Sequence, residues 1–314
     1  MRLIRNILIK ANVSIPVFRV PRAHPGARSR PIFIVGSGRS GNTLLRRLLS
    51  SGSEFFSAPE TYVIGGLCER HNVYRGMPWS DYVRYTLGAL ATHSEFPTFG
   101  LPGVHEVARR LHRIEDQARS LYSVVDAFFF YFHDFHSIEG VRWIDKTPQN
   151  TLSIGAIAKT FPDAQFLAML RDPVDVCSSY LEMGRYSSIA NAAQRWKDSE
   201  RAIASFQRGH TPEKIMRVRY EELVIEPERL LRSIRTFLGA RTNKTSIDTT
   251  AYHGPRLGDV ESRDHHSRVL QPIDRSSIGK GYRRLSPEQL DEVWRVVGRE
   301  PAANAYRERA TSAR

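Results

Sequence analysis

The chain has 314 residues with 46 Lys+Arg against 33 Asp+Glu, so its net charge is +13, yet the first 53 residues contain ten basic and no acidic side chains. Because residues 54–314 are close to charge balance, the composition argues against a protein that coats nucleic acid along its length. With 41% hydrophobic and 25% charged residues, the composition also excludes disorder over most of the chain.

Residues 1–30 are predicted to be a basic leader and linker, followed by a single domain over residues 31–314. The segment 1–20 has apolar residues interrupted by Arg5 and Lys10, so it is too short and too charged to span a bilayer. It could form an amphipathic helix on an anionic membrane surface or, alternatively, a helix packed on its own domain. With no signal peptide and only two cysteines, we expect a cytoplasmic protein, with peripheral contact to the inner face of the membrane as an option.

A strand, a glycine loop and a helix form the first strong pattern. Residues 31–36 are a short apolar run with β-branched and aromatic side chains, and residues 42–49 after the loop have helical spacing. This order is typical of the opening of a parallel α/β sheet. Three further buried strands are predicted at 141–144, 165–170 and 215–219.

Helical spacing predicts most of the remaining elements. Residues 54–140 are predicted to be mostly helical, with the aromatic run 124–135 as a buried core helix, and residues 240–285 to be a polar loop region. Individual helices are expected near 80–92, 103–119, 120–136, 173–182, 188–207, 227–238 and 286–297. Strands alternating with helices predict a three-layer α/β/α fold with a central parallel sheet.

The glycine loop is suited to binding a phosphate, because a helix N-terminus offers unpaired N–H groups and a positive dipole end. Residues 36–43 have the glycine spacing of a Walker A loop, but the lysine position holds Asn42. Hydrolysis of a γ-phosphate is therefore poorly supported, and no metal site is expected. Arg39 lies inside the loop, where its planar guanidinium could reach phosphate or sulfonate oxygens. The alternative is a glycine turn with incidental cations.

The loop sequence GSGRSGNTLL resembles the 5′-phosphosulfate loop of the sulfotransferases that use 3′-phosphoadenosine 5′-phosphosulfate (PAPS). A second motif, LRDPVDVCSSYLE at 170–182, is similar to the family segment in which an arginine ends a strand and a serine follows eight residues later. Here these are Arg171 and Ser179. Ser179 is placed two helical turns after Pro173, so it could face back towards Arg171, and the two could clamp the 3′-phosphate of the donor.

Two weaker matches follow in the order of the family. The segment VRYEEL resembles the strand end whose tyrosine lies beside the adenine, which implies this role for Tyr220, with a core tyrosine as the alternative. Ser277 and Lys280 resemble residues of a C-terminal loop that closes over the nucleotide. The resemblance spans about residues 31–285 and implies a P-loop NTPase-like sulfotransferase fold. The donor-binding residues that it implies are Gly38, Arg39, Ser40, Gly41, Asn42, Thr43, Arg171, Ser179, Tyr220, Ser277 and Lys280.

Sulfuryl transfer depends on in-line positioning and on cations near the non-reacting oxygens, so protein cations, Arg39 among them, can suffice without a metal. Lys146 resembles the lysine that Golgi-type sulfotransferases place on the bridging oxygen; a surface lysine paired with Asp145 is the alternative. Glu60 matches the catalytic glutamate of protein-tyrosine and heparan-type sulfotransferases. Its basic surroundings favour a carboxylate that hydrogen-bonds an acceptor well but is a weaker base. His71 and His105 are alternative bases.

The leading hypothesis is a PAPS-dependent sulfotransferase, closer to the Golgi, protein-tyrosine and bacterial types than to the cytosolic phenol type. We expect in-line transfer to a hydroxyl of a carbohydrate, lipid or peptide tyrosine, with release of adenosine 3′,5′-bisphosphate and no nucleic-acid partner. Two alternatives remain open at this point. One is a P-loop-type kinase, and the other is a basic module that binds a membrane or nucleic-acid surface.

Overall fold

The computed structural model describes residues 29–52, 54–240 and 272–307, so the leader over 1–28 and most of the predicted loop region lie outside the described residues. Within this part, five strands form one sheet: β1 (Ile32–Gly36), β2 (Phe55–Ser57), β3 (Arg142–Asp145), β4 (Gln165–Leu170) and β5 (Ile215–Arg219). Their order across the sheet is β2-β3-β1-β4-β5, and every neighbouring pair is parallel. The predicted central parallel sheet is confirmed.

Helices cover both faces of the sheet. They are α1 (Asn42–Ser50), α2 (Ile64–Tyr74), α3 (Trp79–Ala91), α4 (His105–Leu111), α5 (Leu121–Phe135), α6 (Ile154–Thr160), α7 (Pro173–Glu182), α8 (Ile189–Arg208), α9 (Tyr220–Ile225), α10 (Pro227–Leu238) and α11 (Pro287–Val297). Short 3₁₀ turns lie at Phe96–Phe99, Asp116–Ala118, Pro148–Thr151, Gly281–Arg283 and Pro301–Tyr306. Among the described residues, no helix combines the length and apolar character that crossing a bilayer requires.

Two local predictions differ from the structure. The edge strand β2 was not predicted, because three residues are too few to display the alternation of a strand. The helix expected over 103–119 is split into α4 and a 3₁₀ turn. At the break, the indole of Trp79 donates a hydrogen bond to the carbonyl of Leu111 at 2.8 Å. The backbone N–H groups of Arg113 and Ile114 bond to carbonyls three residues earlier, as in a 3₁₀ helix.

The core lies on both faces of the sheet, because successive side chains of a strand point in opposite directions. In β1, Ile32 and Ile34 pack on the face that α1 and α10 cover, whereas Phe33 and Val35 pack on the other. The aromatic helix α5 lies over that second face, and its Phe129 ring stacks on Trp143 with 4.1 Å between centroids. The predicted core role of the aromatic run is therefore confirmed.

The parallel sheet brings the ends of its strands to one edge. The residues that follow directly are the glycine loop after β1, Lys146 after β3, Arg171 after β4 and Tyr220 after β5. Groups from widely separated motifs therefore meet at this edge, which is where α/β proteins bind their ligands.

Gly36, the last residue of β1, should not tolerate a side chain. Its φ is +136°, and a Cβ there would lie 2.5 Å from the carbonyl oxygen of Met169 in β4. Backbone strain and overpacking together predict that Gly36→Ala lowers the free energy of unfolding by about 2–5 kcal/mol. Denaturant titration of the full chain would measure this. Gly76→Ala is the matched control, because a Cβ at this exposed turn meets nothing within 4 Å; equal stabilities of the two variants would contradict the prediction.

Candidate active site

The glycine loop presents a helix N-terminus to a cavity. Gly41 is the N-cap residue of α1, no side chain caps the first turn, and that turn contains no acidic residue. The side chain of Asn42, at the position of the Walker lysine, donates from Nδ2 to the carbonyl of Ser37 at 2.8 Å. Asn42 therefore fixes the shape of the loop through its side chain, while the start of α1 provides the positive end of a helix dipole.

A chain of contacts joins four of the sequence motifs. Arg39 donates from Nε to Ser179 Oγ at 3.0 Å. Arg171 donates from its two terminal nitrogens to the carbonyls of Arg39 at 3.0 Å and Ser277 at 2.7 Å. Its guanidinium carbon also lies 4.2 Å from the ring centroid of Tyr220. The hydroxyl of Ser179 thus contacts Arg39, whereas Arg171 fixes two loops at once.

The two arginines form a region of concentrated positive charge. Burial, and after it the neighbouring Arg171 guanidinium, lower the pKa of Arg39 from its ordinary value. Arg39 itself is held at a φ of +68°, a left-handed conformation that non-glycine residues rarely adopt. Two guanidinium groups that line one cavity and act on each other electrostatically favour the binding of an anion there.

A cavity of about 780 Å³ opens beside the loop. Nine residues predicted for the site line it: Gly38, Arg39, Gly41, Asn42, Thr43, Glu60, Arg171, Tyr220 and Ser277. Four others from the prediction, all within the described part of the chain, lie outside this lining: Ser40, Lys146, Ser179 and Lys280. Ser40 is buried in the loop, and Lys280 pairs with Glu182 at 3.2 Å on the surface.

Glu60 and Lys146 form a buried ion pair at the wall of the cavity. Glu60 is 7% exposed and Lys146 only 1% exposed, and the ammonium donates directly to Glu60 Oε1. Glu60 follows β2 and Lys146 follows β3, so the parallel pairing of these strands brings the two side chains together. The alternative of a surface lysine paired with Asp145 is wrong, because Lys146 is buried and pairs with Glu60.

Asp145, the residue before Lys146, holds the loop that carries Glu60. Its carboxylate accepts from Thr61 Oγ1 at 2.6 Å and from Asn150 Nδ2 at 3.1 Å. Complete burial raises the pKa of Asp145 to about 6. The loop that carries Glu60 is therefore held by a carboxyl group whose pKa is close to neutral pH.

The histidine at the cavity was missed by sequence reasoning. His71 bonds to the hydroxyl of Tyr82 at 2.8 Å, and neither it nor the exposed His105 belongs to the lining. His93 does line the cavity, and its ring stacks on Tyr62 with centroids 5.1 Å apart and an angle of 8°. The Nδ1 of His93 accepts from the backbone N–H of Glu95 at 3.2 Å. No motif surrounds His93, so only the fold reveals its position.

Comparisons with known proteins agree on one family. Residues 31–244 match the model of the sulfotransferase family. A protein-tyrosine sulfotransferase of Drosophila melanogaster is 23% identical over 290 residues, which are 87% of this chain and 52% of that protein. Protein-tyrosine sulfotransferase 1 of Danio rerio is 25% identical over 259 residues, which are 79% and 64% of the respective chains. The chain therefore spans about half to two thirds of the length of these relatives.

Solved structures share the fold. The sulfotransferase domain of the Synechococcus PCC 7002 olefin synthase superposes with a TM-score of 0.57 at 20% identity, covering 84% of this chain and 92% of that one. The sulfotransferase domain from the curacin biosynthetic pathway gives a TM-score of 0.54 at 22% identity, with coverages of 85% and 96%. At these low sequence identities, the structural similarity shows a shared fold.

The buried Asp145 predicts a pH-dependent contribution to stability. Its pKa is raised from 3.8 to about 6, so between these values the folded chain holds a proton that the unfolded chain releases. The contribution is fully present below pH 4 and is lost as the pH rises through 6. Relative to Asp145→Asn, the wild type should lose about 2–3 kcal/mol of unfolding free energy between pH 4 and pH 7.

Denaturant titrations at several pH values would measure this difference. The control is Asp116→Asn, which alters an exposed aspartate and should change the free energy of unfolding by no more than about 0.5 kcal/mol. A pH-independent difference for Asp145→Asn would contradict the assignment of the proton to this carboxyl.

Proposed function

The chain belongs to the sulfotransferase family, and we propose that it transfers the sulfuryl group of PAPS to a hydroxyl acceptor and releases adenosine 3′,5′-bisphosphate. The observation that carries this proposal is that the glycine loop, Arg171 and Glu60 line one cavity, with Glu60 held by the buried Lys146 behind it. The active unit is residues 31–314, the domain predicted from the sequence. A cytoplasmic location stays a prediction.

The polar groups around the loop fit an anionic donor. Arg171 lines the cavity, and its Nε is among several buried side-chain atoms of the described residues that lack a hydrogen-bond partner. Buried donors of this kind are normally satisfied, so a ligand with acceptor oxygens matches them. In this proposal the loop and Arg39 bind the phosphosulfate, and Arg171 binds the 3′-phosphate. The ring of Tyr220 stacks beside the adenine.

Ser277 adds a second loop to the donor site, while Ser179 acts through its bond to Arg39. The remaining predicted contact, from Lys280 to the donor, has weaker support because this lysine pairs with Glu182. The loop residues Gly38, Gly41, Asn42 and Thr43 line the cavity and would contribute chiefly through their backbone N–H groups.

PAPS supplies a sulfur atom bonded through oxygen to a phosphate leaving group. Glu60 lines the cavity and accepts the acceptor's proton at a carboxylate oxygen as the hydroxyl oxygen forms its bond to sulfur. The S–O bond to the 5′-phosphate breaks, and its electron pair stays with the phosphate. Arg39 supplies positive charge to the oxygens around the reaction centre. Lys146 orients Glu60; its role at the bridging oxygen stays a prediction from the resemblance, because it does not line the cavity.

The acceptor is proposed to bind against Tyr62 and His93. The stacked rings provide a flat surface in the cavity that Glu60 lines, and Glu95, Arg185 and other polar side chains line the same cavity. An aromatic face with donors and acceptors around it suits a carbohydrate or a peptide tyrosine better than a purely apolar phenol. The relatives named protein-tyrosine sulfotransferases support a hydroxyl acceptor.

The alternative functions have less support. A kinase needs the Walker lysine, and the side chain of Asn42 at that position bonds to the loop itself. Of the ten basic residues among the first 53, Arg46 and Arg47 of α1 are only 1% and 5% exposed, so these two do not contribute to a basic binding surface. The segment 1–20, for which membrane contact was predicted, lies outside the described residues.

Adenosine 3′,5′-bisphosphate should raise the melting temperature of the full chain. At 100 times its Kd, a ligand that binds only the folded state adds about 2.7 kcal/mol, which is several degrees for a domain of this size. ATP with Mg²⁺ serves as the comparison in the same thermal-shift assay. A shift with ATP and Mg²⁺ alone would favour the kinase and overturn the proposed donor.

Arg171 and Glu60 should affect different steps. Arg171→Ala removes the cation proposed for the 3′-phosphate, so the Kd of adenosine 3′,5′-bisphosphate should rise at least about tenfold. Glu60→Gln keeps a hydrogen-bond acceptor for Lys146 but cannot take a proton, so turnover should fall about 100-fold or more with little change in that Kd. Calorimetry and a labelled-donor assay measure the two quantities. Arg84→Ala, in an exposed ion pair on α3, is the control; equal effects of both site variants on the Kd would refute these roles.

A further inference from the structure

The segment 277–281 is attached to α7 through the carboxylate of Asp175. This side chain is 2% exposed and lies one helical turn after Arg171. Its Oδ2 accepts from the backbone N–H of Gly279 at 2.8 Å, and its Oδ1 accepts from the backbone N–H of Gly281 at 2.7 Å. Both carboxylate oxygens thus hold one short stretch of backbone, and Oδ2 also lies 3.8 Å from Nη2 of Arg171.

This arrangement requires a carboxylate. An ionised carboxyl group only accepts hydrogen bonds, whereas an amide of the same shape has one acceptor and one donor group. At position 175, an amide would direct N–H bonds against the N–H of Gly279 or Gly281. A buried backbone donor without an acceptor is costly, so the segment could not keep its place.

The same segment carries a residue of the proposed donor site. Ser277 lines the cavity, and its carbonyl accepts from Arg171 Nη2 at 2.7 Å. The approach of Gly281 to α7 is so close that a Cβ there would lie 2.5 Å from the carbonyl oxygen of Val174. The segment is therefore joined to α7 at Gly279 and Gly281, and to Arg171, two residues before this helix, at Ser277.

A surface contact contributes less to this attachment. Lys280 and Arg284 both pair with Glu182 at the other end of α7, at 3.2 and 2.6 Å. Ion pairs at such exposure are worth little, because solvent screens them. The buried bonds of Asp175 are the ones that can fix the position of the segment.

We propose that Asp175 is a positioning residue of the donor site. It holds the segment 277–281 against α7, so that Ser277 and Arg171 keep the geometry that binds the nucleotide. Asp175 itself does not line the cavity, and it acts through these two residues. The inference rests on the proposed function, since it assumes that this end of the cavity binds the donor.

The test measures binding of adenosine 3′,5′-bisphosphate by calorimetry at a temperature where every variant is folded. Asp175→Asn should raise the Kd at least about tenfold, because the segment loses a buried acceptor. Gly281→Ala perturbs the same contact by steric overlap and should raise the Kd in the same direction. If Asp175→Asn does not fold, Gly281→Ala provides the test.

Two controls separate positioning from stability. Glu200→Gln weakens a buried pair with Arg217 outside the cavity, so it should lower the melting temperature while the Kd stays within about twofold. Gly155→Ala, where a Cβ meets nothing within 4 Å, should leave the Kd unchanged and should not lower the melting temperature, because alanine is favoured over glycine within a helix. A folded Asp175→Asn with the Kd of the wild type would overturn the inference and leave the proposed function intact. A wild type that does not bind the bisphosphate would overturn the proposed donor, and the inference with it.

Discussion

The parallel pairing of β1 with its neighbours β3 and β4 decides where the chemistry of this molecule can take place. Gly36 at the end of β1 pairs with Met169 near the end of β4. The glycine loop and Arg171 therefore follow their strands at nearly the same level along the strand direction. On the other side, Thr151 accepts from the N–H of Gly36 at 2.8 Å and donates to its carbonyl at 3.0 Å. These contacts fix the start of the loop from both sides and make its strained backbone possible.

The charges around the cavity are arranged in two layers. Arg39 and Arg171 repel each other next to the loop, and an anionic ligand would relieve this repulsion. The second layer is the buried pair of Glu60 and Lys146, which is neutral as a unit and therefore tolerated away from water. The first layer thus suits binding of an anion, whereas the second provides an oriented carboxylate at the wall. A sulfuryl transferase needs both features.

Much of this arrangement could be predicted from the sequence, because each motif combines a strand end with a chemically distinctive side chain. Arg39 was placed at the site from the glycine loop, and Arg171 and Tyr220 from the resemblance to the sulfotransferase motifs; the structure brings all three into one chain of contacts. The partners of long side chains could not be predicted in the same way. Ser179 contacts Arg39, and Lys280 contacts Glu182, because the direction of a side chain depends on neighbours distant in sequence. For the same reason, His93 was missed.

The acidic residues of the motifs have a function different from that of the basic ones. Asp172 caps α7 by accepting from the N–H of Val174 at 2.9 Å. Glu221, next to Tyr220, accepts from the N–H of Asp172 at 3.1 Å and from the hydroxyl of Tyr306 at 2.9 Å. These carboxylates satisfy backbone amides at loop ends, where no strand or helix partner is available. The arginines can face the cavity because the acids beside them hold the backbone in place. The positive charge at the loop is therefore a matter of orientation as much as of composition. Arg39 and Arg171 line the cavity, whereas the carboxylates of Asp172, Asp175 and Glu221 accept from backbone amides.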